Sequence, residues 1–171
     1  VTEEFEKTRG IAKKFFNTRK EEEIVFTRNT TEGINLVANS LDLKKDDVVL
    51  TTNKEHNSNL VPWQVLSKRK SIKHEIVKFD ENIVENLKEK IKDVKLVSMV
   101  YTSNLDGTSI PAKEIIKIAH ENGALVLLDS AQTASHHEID VRKLDVHFLA
   151  FSGHKMLGST GTGMLYAKYD L

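Results

Sequence analysis

The sequence predicts an α/β fold of three layers, in which helices cover both faces of a mostly parallel sheet. Segments with helical periodicity alternate with short strand-like runs along the whole chain. The strand-like runs are apolar throughout rather than at every second residue, as in strands that are covered on both faces. No repeat, low-complexity tract or Pro/Gly linker interrupts this order. One layered domain therefore accounts for the chain.

Five segments are predicted as helices from the spacing of their apolar residues. They are residues 2–17, 30–41, 60–66, 83–91 and 114–121. The string Thr30-Thr31-Glu32-Gly33 is typical of a capped helix start. Pro62 is tolerated in a first helical turn, and Pro111 stands at the start of the fifth helix. Asn122-Gly123 is a good C-cap for that helix.

Six apolar runs are predicted as strands, and a seventh strand is expected after the glycine-rich stretch 153–163. The six runs are residues 24–27, 48–51, 76–79, 96–100, 124–129 and 148–151. The glycine-rich stretch is not a P-loop, because no Lys-Ser/Thr pair follows its glycines and a strand rather than a helix comes next.

Composition excludes several classes of protein. The chain has 171 residues, enough for one core of ordinary domain size. Its 25 Lys and Arg balance 25 Asp and Glu, which argues against nucleic acid or an anionic membrane as a partner. The chain has no Cys, so disulfides, thiolate metal sites and a cysteine nucleophile are excluded within it. Without a signal-like or membrane-spanning segment, a cytoplasmic location is expected.

Polar clusters follow four of the predicted strands. Because ligands of open α/β sheets bind beyond the carboxyl ends of the strands, these clusters are the candidate site. The clusters are Asn29-Thr30-Thr31-Glu32, Glu55-His56-Asn57, Ser130-Ala131-Gln132 after Asp129, and Ser152-Gly153-His154-Lys155. The other histidines show no metal-binding spacing, so no metal site is predicted.

Two of these residues indicate covalent cofactor chemistry. Lys155 follows an apolar strand, where a lowered pKa frees an amine to form a Schiff base; the alternative is a structural surface lysine. Asp129 ends an apolar strand, so its carboxylate needs a cationic partner. That partner is either a protein side chain or the protonated ring nitrogen of a cofactor such as pyridoxal phosphate (PLP). A plain N-cap role remains the alternative for Asp129.

Thr30, Thr31 and His56 are candidates for holding the rest of such a cofactor. Hydroxyls and free amides at a helix start are a usual cradle for phosphate, although plain capping is the favoured explanation of the two threonines when they are taken alone. The imidazole of His56 could stack on a planar ring or transfer protons, and a polar surface histidine is its alternative.

The clusters occur in the order and spacing of a known family. The chain resembles the fold-type I, class V aminotransferase-like PLP enzymes, and among them the SufS-like (group II) cysteine desulfurases and selenocysteine lyases. The matching strings are 27–38 (Thr27 to Ala38), 55–64 (Glu55 to Gln64), 103–107 (Ser103 to Gly107), 129–132 (Asp129 to Gln132), 151–155 (Phe151 to Lys155) and 158–163.

The resemblance implies roles for the residues around the PLP ring. Lys155 would form the Schiff base with PLP and later move protons at the substrate Cα. Asp129 would pair with the pyridinium nitrogen, and His56 would stack on the ring and serve in acid–base steps. Gln132 and Asn104 would lie near the ring hydroxyl.

The resemblance also implies a phosphate site and a neighbouring subunit. Thr31, Ser152 and His154 would hold the phosphate, and Thr30 would help through the helix start. The glycines from Gly153 onward would keep the backbone clear of the cofactor and of a second subunit.

Two departures from the family pattern are small, and one is large. Asn29 replaces a common Gly and Ser159 replaces a common Pro, both away from the chemistry. Family members are more than twice as long, so residues 1–171 are interpreted as part of the large, PLP-binding domain. The N-terminal segment and the C-terminal domain, with its persulfide-forming Cys, would lie outside this chain.

The predicted function is PLP-dependent release of sulfur or selenium from L-cysteine or L-selenocysteine, which leaves L-alanine and serves iron–sulfur cluster biogenesis. The fragment alone is not expected to complete turnover. The predicted partners are the amino-acid substrate, a sulfur-acceptor protein and a second copy of the parent chain. One alternative is another class V aminotransferase or β-eliminating lyase. The other alternative is a folded, non-catalytic remnant.

Overall fold

The seven strands form one mixed sheet in a computed structural model that describes residues 2–171. The strands are β1 (Ile24–Thr27), β2 (Val48–Thr52), β3 (Lys73–Val77), β4 (Val94–Val100), β5 (Leu125–Asp129), β6 (Phe148–Ser152) and β7 (Gly163–Ala167). Their order across the sheet is β1-β7-β6-β5-β4-β2-β3. Strands β2 to β6 pair in parallel, whereas β7 is antiparallel to β1 and β6. The predicted mostly parallel sheet is confirmed.

Six helices cover the two faces of the sheet, and five of them were predicted. They are α1 (Thr2–Phe16), α2 (Thr30–Ser40), α3 (Val61–Lys70), α4 (Ile83–Lys90), α5 (Ala112–Glu121) and α6 (Val141–Leu144). One apolar core lies under α4 and α5, and a second core lies under α2 and α3. The three-layer arrangement is therefore as predicted. No helix among residues 2–171 is long and apolar enough to cross a membrane.

The predicted third strand has the wrong bounds. The apolar run 76–79 indicated a strand, but β3 covers Lys73–Val77. This strand is at the edge of the sheet and pairs with β2 alone; its first three residues are polar, and three of its five side chains are exposed. Exposed polar residues give no apolar signal, which is why the start of the strand was missed.

Helix α6 was also missed, because it has only four residues and no apolar period to recognise. Asp140 begins it by accepting hydrogen bonds from the amides of Arg142 (3.1 Å) and Lys143 (2.9 Å). Helix α1 was predicted correctly, but only part of its apolar face is buried. Phe16 is buried, whereas Phe5, Ile11 and Phe15 are exposed.

The strand register determines which side chains reach the carboxyl edge of the sheet. Asp129, the last residue of β5, lies beside Val100 of β4 and Ala150 of β6. All three strands are buried there, so the hydrogen-bonded ladder fixes the Asp129 backbone from both sides. This edge contains the candidate site.

Candidate active site

A cavity of about 250 Å³ opens at the carboxyl edge of the parallel strands. Residues that follow β1, β2, β4, β5 and β6 contribute to it, as expected for a ligand site of an α/β sheet. It is lined by Asn29, Thr30, Thr31, His56, Ser58, Val100, Thr102, Asn104, Asp129, Ala131, Gln132, Ser152, His154 and Lys155. All nine predicted site residues are among them, so the structure brings them together. Their chemical roles stay predictions.

Asp129 is the buried charge of the cavity, with 2% of its surface exposed. Its Oδ1 accepts a hydrogen bond of 3.0 Å from the amide of Ala131. Burial raises the pKa of the Asp129 carboxyl, while the Ala131 amide and the Lys155 ammonium oppose the rise. Within residues 2–171, no Lys, Arg or His forms a salt bridge with it. The cavity thus contains a carboxylate that favours a cation.

Lys155 and His154 lie in a short 3₁₀ turn, Gly153–Lys155, directly after β6. The loop beyond this turn folds back on itself, because the Gly153 amide donates to the Thr162 carbonyl at 2.7 Å. A Cβ at Gly153 would collide with the Thr162 side chain. Gly153 therefore allows the loop to close, and its expected role in clearing space for the cofactor and a second subunit stays a prediction.

Thr30 and Ser152 join the start of α2 to the end of β6. The Thr30 amide donates to Ser152 Oγ at 2.8 Å, and the two hydroxyl oxygens are 2.7 Å apart. The Thr30 amide is therefore not free, although free amides were expected at this helix start. Thr31, the next residue, is exposed toward the cavity.

Asn29, rather than Thr30 or Thr31, caps α2. Its Oδ1 accepts a hydrogen bond of 2.8 Å from the Glu32 amide. Strand β7 packs closely on this cap, since a Cβ at Gly163 would lie 2.7 Å from the Asn29 Cα. Asn29 was interpreted as peripheral, but it lines the cavity and orients the helix start there.

His56 is held in one neutral tautomer by the residue two positions further along the chain. The Ser58 amide donates to His56 Nδ1 at 3.1 Å, and Ser58 Oγ lies 2.9 Å from the same nitrogen. Because a backbone amide can only donate, Nδ1 accepts and the neutral ring has its proton on Nε2. The Nε2–H of His56 is then able to donate to a molecule in the cavity.

Glu55 fixes the loop that precedes His56. Its Oε1 accepts hydrogen bonds from the Thr52 hydroxyl (2.6 Å) and the Val100 amide (2.9 Å). Its Oε2 accepts from Asn59 Nδ2 at 2.6 Å. These bonds join the end of β2, the His56 segment and the end of β4. Burial raises the pKa of the Glu55 carboxyl to about 7, and the nearby Asp129 charge adds to the rise.

We expect Glu55 to make the cofactor-free chain less stable as the pH rises. The folded state holds this proton more tightly than the unfolded state, whose pKa is near 4.5. The contribution of Glu55 to the free energy of unfolding should therefore fall between about pH 4.5 and about pH 7, by up to roughly 3 kcal/mol. Burial lowers the pKa of His147 to about 4, which acts in the opposite direction, so the comparison with Glu55→Gln isolates the Glu55 contribution. Urea unfolding across this range should show the unsubstituted chain losing stability relative to Glu55→Gln as the pH rises.

Glu32→Gln is the matched control, because Arg28 holds the pKa of the exposed Glu32 carboxyl below its usual range. This variant should keep the pH dependence of the unsubstituted chain. Glu55→Gln is expected to be less stable at every pH, since an amide cannot accept all the hydrogen bonds, so the slope is the decisive quantity. An unchanged slope in Glu55→Gln would contradict the assignment.

Asn104 and Gln132 reach the cavity from the loops after β4 and β5. Neither side-chain amide forms a hydrogen bond with another part of residues 2–171. Both are therefore available to a bound molecule.

Three lining residues lie outside the predicted polar clusters, namely Ser58, Val100 and Thr102. Asn29 and Ala131 belonged to those clusters, but no role in the site was predicted for them. Ser58 could have been found from its place two residues after His56, where Ser commonly forms local hydrogen bonds. Val100 and Ala131 carry no chemical signal, because they contribute backbone and apolar surface. Thr102 lies two residues beyond the end of β4, and only the three-dimensional structure shows that it lines the cavity.

The fold and the cavity together define an α/β domain with a small-molecule site at the ends of its parallel strands. The aminotransferase class-V family model matches residues 1–171. The chain belongs to the aminotransferase class-V family.

Similar proteins are cysteine desulfurases. One from Salmonella dublin is 41% identical, and the match covers 100% of this chain and 44% of that protein. One from Synechococcus elongatus is 45% identical, over 99% of this chain and 28% of that protein. The chain thus spans less than half the length of these curated relatives.

Solved structures show the same fold. The apo cysteine desulfurase from Thermococcus onnurineus NA1 has a TM-score of 0.94 and 42% identity, over 99% of this chain and 44% of that one. The C-DES structure with glycine covalently linked to its PLP cofactor has a TM-score of 0.90 and 26% identity, over 95% of this chain and 45% of that one.

Proposed function

We propose that this chain binds PLP in the cavity at the strand ends and forms the cofactor-binding part of a cysteine desulfurase. The observation that carries the proposal is that one cavity is lined both by Asp129, a buried carboxyl group without a salt bridge in residues 2–171, and by Lys155. Cysteine desulfurases at 41% and 45% identity support the choice of reaction. We propose L-cysteine or L-selenocysteine as the substrate, because the chain resembles the SufS-like branch of the family.

The donor set of the cavity fits the two ends of PLP. Thr31, at the start of α2, lines the cavity together with Ser152 and His154, and a phosphate dianion is favoured at a helix start by the helix dipole. Asp129 also lines the cavity and forms no salt bridge within residues 2–171, which suits a protonated ring nitrogen. These residues would hold the cofactor by its phosphate and its ring.

The side chains of the cavity would then act on the bound substrate. PLP, when bound, supplies an electron sink for the negative charge left at the substrate Cα. Lys155 Nζ would remove and return the proton at that carbon. Asp129 would hold the proton on the ring nitrogen, and His56 would lie against the ring with Nε2–H as a donor. Gln132 and Asn104 would contact the ring hydroxyl.

The sulfur step needs a group that this chain does not have. With no Cys among its 171 residues, none of its own side chains can accept the sulfur as a persulfide. We propose that a thiol outside residues 1–171 accepts it and passes it to an acceptor protein for iron–sulfur cluster biogenesis. We also propose that the parent enzyme is a cytoplasmic homodimer, which light scattering after size-exclusion chromatography would test.

A β-eliminating lyase is the second candidate function. β-Elimination differs from desulfuration in needing no enzyme thiol. The solved cystine C-S lyase C-DES, with cysteine persulfide bound, has a TM-score of 0.90 and 26% identity with this chain. Lys155 and Asp129 would keep the same roles in either reaction.

Adding L-cysteine to the PLP-loaded chain tests the proposed function. A rapid change in visible absorbance is expected, because the substrate amine displaces the Lys155 amine. L-Alanine formed only when a small thiol is added would support the desulfurase. Pyruvate formed without added thiol would support the lyase. If L-cysteine does not change the spectrum of the PLP-loaded chain, both the desulfurase and the lyase are contradicted. The remaining alternative is then a non-catalytic domain.

A further inference from the structure

We propose that Lys54 and Asp106 form a clasp that positions Asn104 opposite His56 across the mouth of the cavity. Lys54 and Asp106 act as positioning residues. The proposal rests on the proposed function, because Asn104 and His56 are the residues that would contact PLP. Lys54 Nζ lies 2.7 Å from Asp106 Oδ2. Lys54 is two residues before His56, and Asp106 is two residues after Asn104. The ion pair therefore joins the loops that carry these two cavity residues.

The Lys54 end of the clasp is anchored to the body of the protein. Its ammonium group lies 4.7 Å from the centre of the Phe79 ring, which is itself buried. The neighbouring Asn53 accepts a hydrogen bond of 2.7 Å from the Phe79 amide through Oδ1 and donates its own amide to the Val77 carbonyl at 3.2 Å. The lysine therefore extends from a fixed point at the end of β2.

The Asp106 end belongs to a turn held mainly by its own hydrogen bonds. The Gly107 amide donates to the Ser103 carbonyl at 3.0 Å, and the Thr108 amide donates to Asp106 Oδ1 at 3.1 Å. Leu105, at the tip, is 73% exposed. Across residues 2–171, the bond from Lys54 is the only hydrogen bond that reaches residues 104–107 from outside the 102–109 loop. Without it, the tip would be tethered only at its base.

The charges of the clasp persist at neutral pH. The Lys54 ammonium, with the Thr108 amide, holds the pKa of the Asp106 carboxyl well below its usual range. Lys54 is 24% exposed and Asp106 is 44% exposed, so water screens the pair in part. A contact of this kind is weak as a source of overall stability. It is sufficient to restrict a short turn that has no other tether at its tip.

Two conservative variants remove the ion pair. Asp106→Asn keeps an oxygen that accepts the Thr108 hydrogen bond, so it removes little else. Lys54→Met keeps an unbranched apolar side chain but also removes the ammonium group from the Phe79 ring. Each should raise the hydrogen-exchange rate of the amides in residues 103–108 about two- to fivefold in the cofactor-free chain. Each should also raise the Kd for PLP by a similar factor, and the double variant should be no worse than either single one.

A second ion pair of nearly the same geometry provides the control. Lys168 Nζ lies 2.6 Å from Asp145 Oδ1, with side-chain exposures of 25% and 53%, at the opposite edge of the sheet. Lys168→Met should leave both the 103–108 exchange rates and the Kd for PLP unchanged. The reversed pair, Lys54→Asp with Asp106→Lys, should restore part of the protection, because attraction between the loops returns.

The exchange and binding measurements separate this proposal from the proposed function. Unchanged exchange in Lys54→Met and Asp106→Asn would overturn the clasp. Faster exchange with an unchanged Kd for PLP would overturn its positioning role toward the cofactor. If the unsubstituted chain does not bind PLP at all, the proposed function fails and the clasp no longer has a cofactor to serve.

Discussion

Replacing Lys155 by alanine is expected to abolish covalent attachment of PLP while leaving the fold intact. Lys155 lies in a partly exposed turn after β6, and its side chain forms no hydrogen bond with other residues in the range 2–171. The PLP-loaded chain should show a visible Schiff-base absorption band that the variant lacks. The Kd for PLP should rise at least about tenfold, because only non-covalent contacts remain. Absorbance titration and circular dichroism measure the two quantities.

Lys143→Ala is the matched control for this change. Lys143 is an exposed lysine of α6, and its Nζ lies 3.4 Å from Asp140 in a surface ion pair. It should bind PLP as the unsubstituted chain does. A visible band that survives in Lys155→Ala would mean that another lysine reacts with PLP, and the proposed role of Lys155 would be wrong.

Replacing Asp129 by asparagine is expected to change stability and PLP affinity in opposite directions. The cofactor-free chain should become more stable at neutral pH by about 1 kcal/mol, because a buried carboxylate without a cation is removed. The oxygen that accepts the Ala131 hydrogen bond is retained. The Kd for PLP should rise at least about tenfold, since the protonated ring nitrogen loses its charged partner.

The pH dependence of stability gives the Asp129 prediction a second readout. The raised pKa of the carboxyl means that the folded chain binds this proton more tightly than the unfolded chain. Its destabilising effect therefore grows as the pH rises above the usual range for aspartate, and Asp129→Asn should remove it. The exposed Asp42→Asn serves as the control and should change neither stability nor affinity appreciably. Lower stability together with unchanged affinity would contradict the account.

The fold could be predicted largely because its strands are buried on both faces. The runs that became β4, β5 and β6 are apolar throughout, and helices cover both of their faces. The edge strand β3 and the four-residue α6 could not be placed well. Their residues are mostly exposed or too few, so local hydrogen bonds rather than apolar periodicity define them.

The candidate site could be predicted because polar residues directly after strands meet at one edge of the sheet. His56, Asp129 and Lys155 are far apart in the sequence, and the cavity brings them together. The hydrogen bonds within the site could not be predicted from the sequence. That the Thr30 amide is bonded to Ser152 and that Glu55 joins three segments depend on contacts between distant residues. No spacing within the sequence reports such contacts.

Mapping the site of PLP attachment is the most direct test of whether Lys155 binds the cofactor covalently. The PLP-loaded chain is reduced with borohydride, digested and examined by mass spectrometry, so that the modified lysine is identified among the 20 in the chain. We expect one pyridoxyl group per chain, on the peptide that contains Lys155. Modification spread over surface lysines, or concentrated at a lysine outside the cavity, would contradict it.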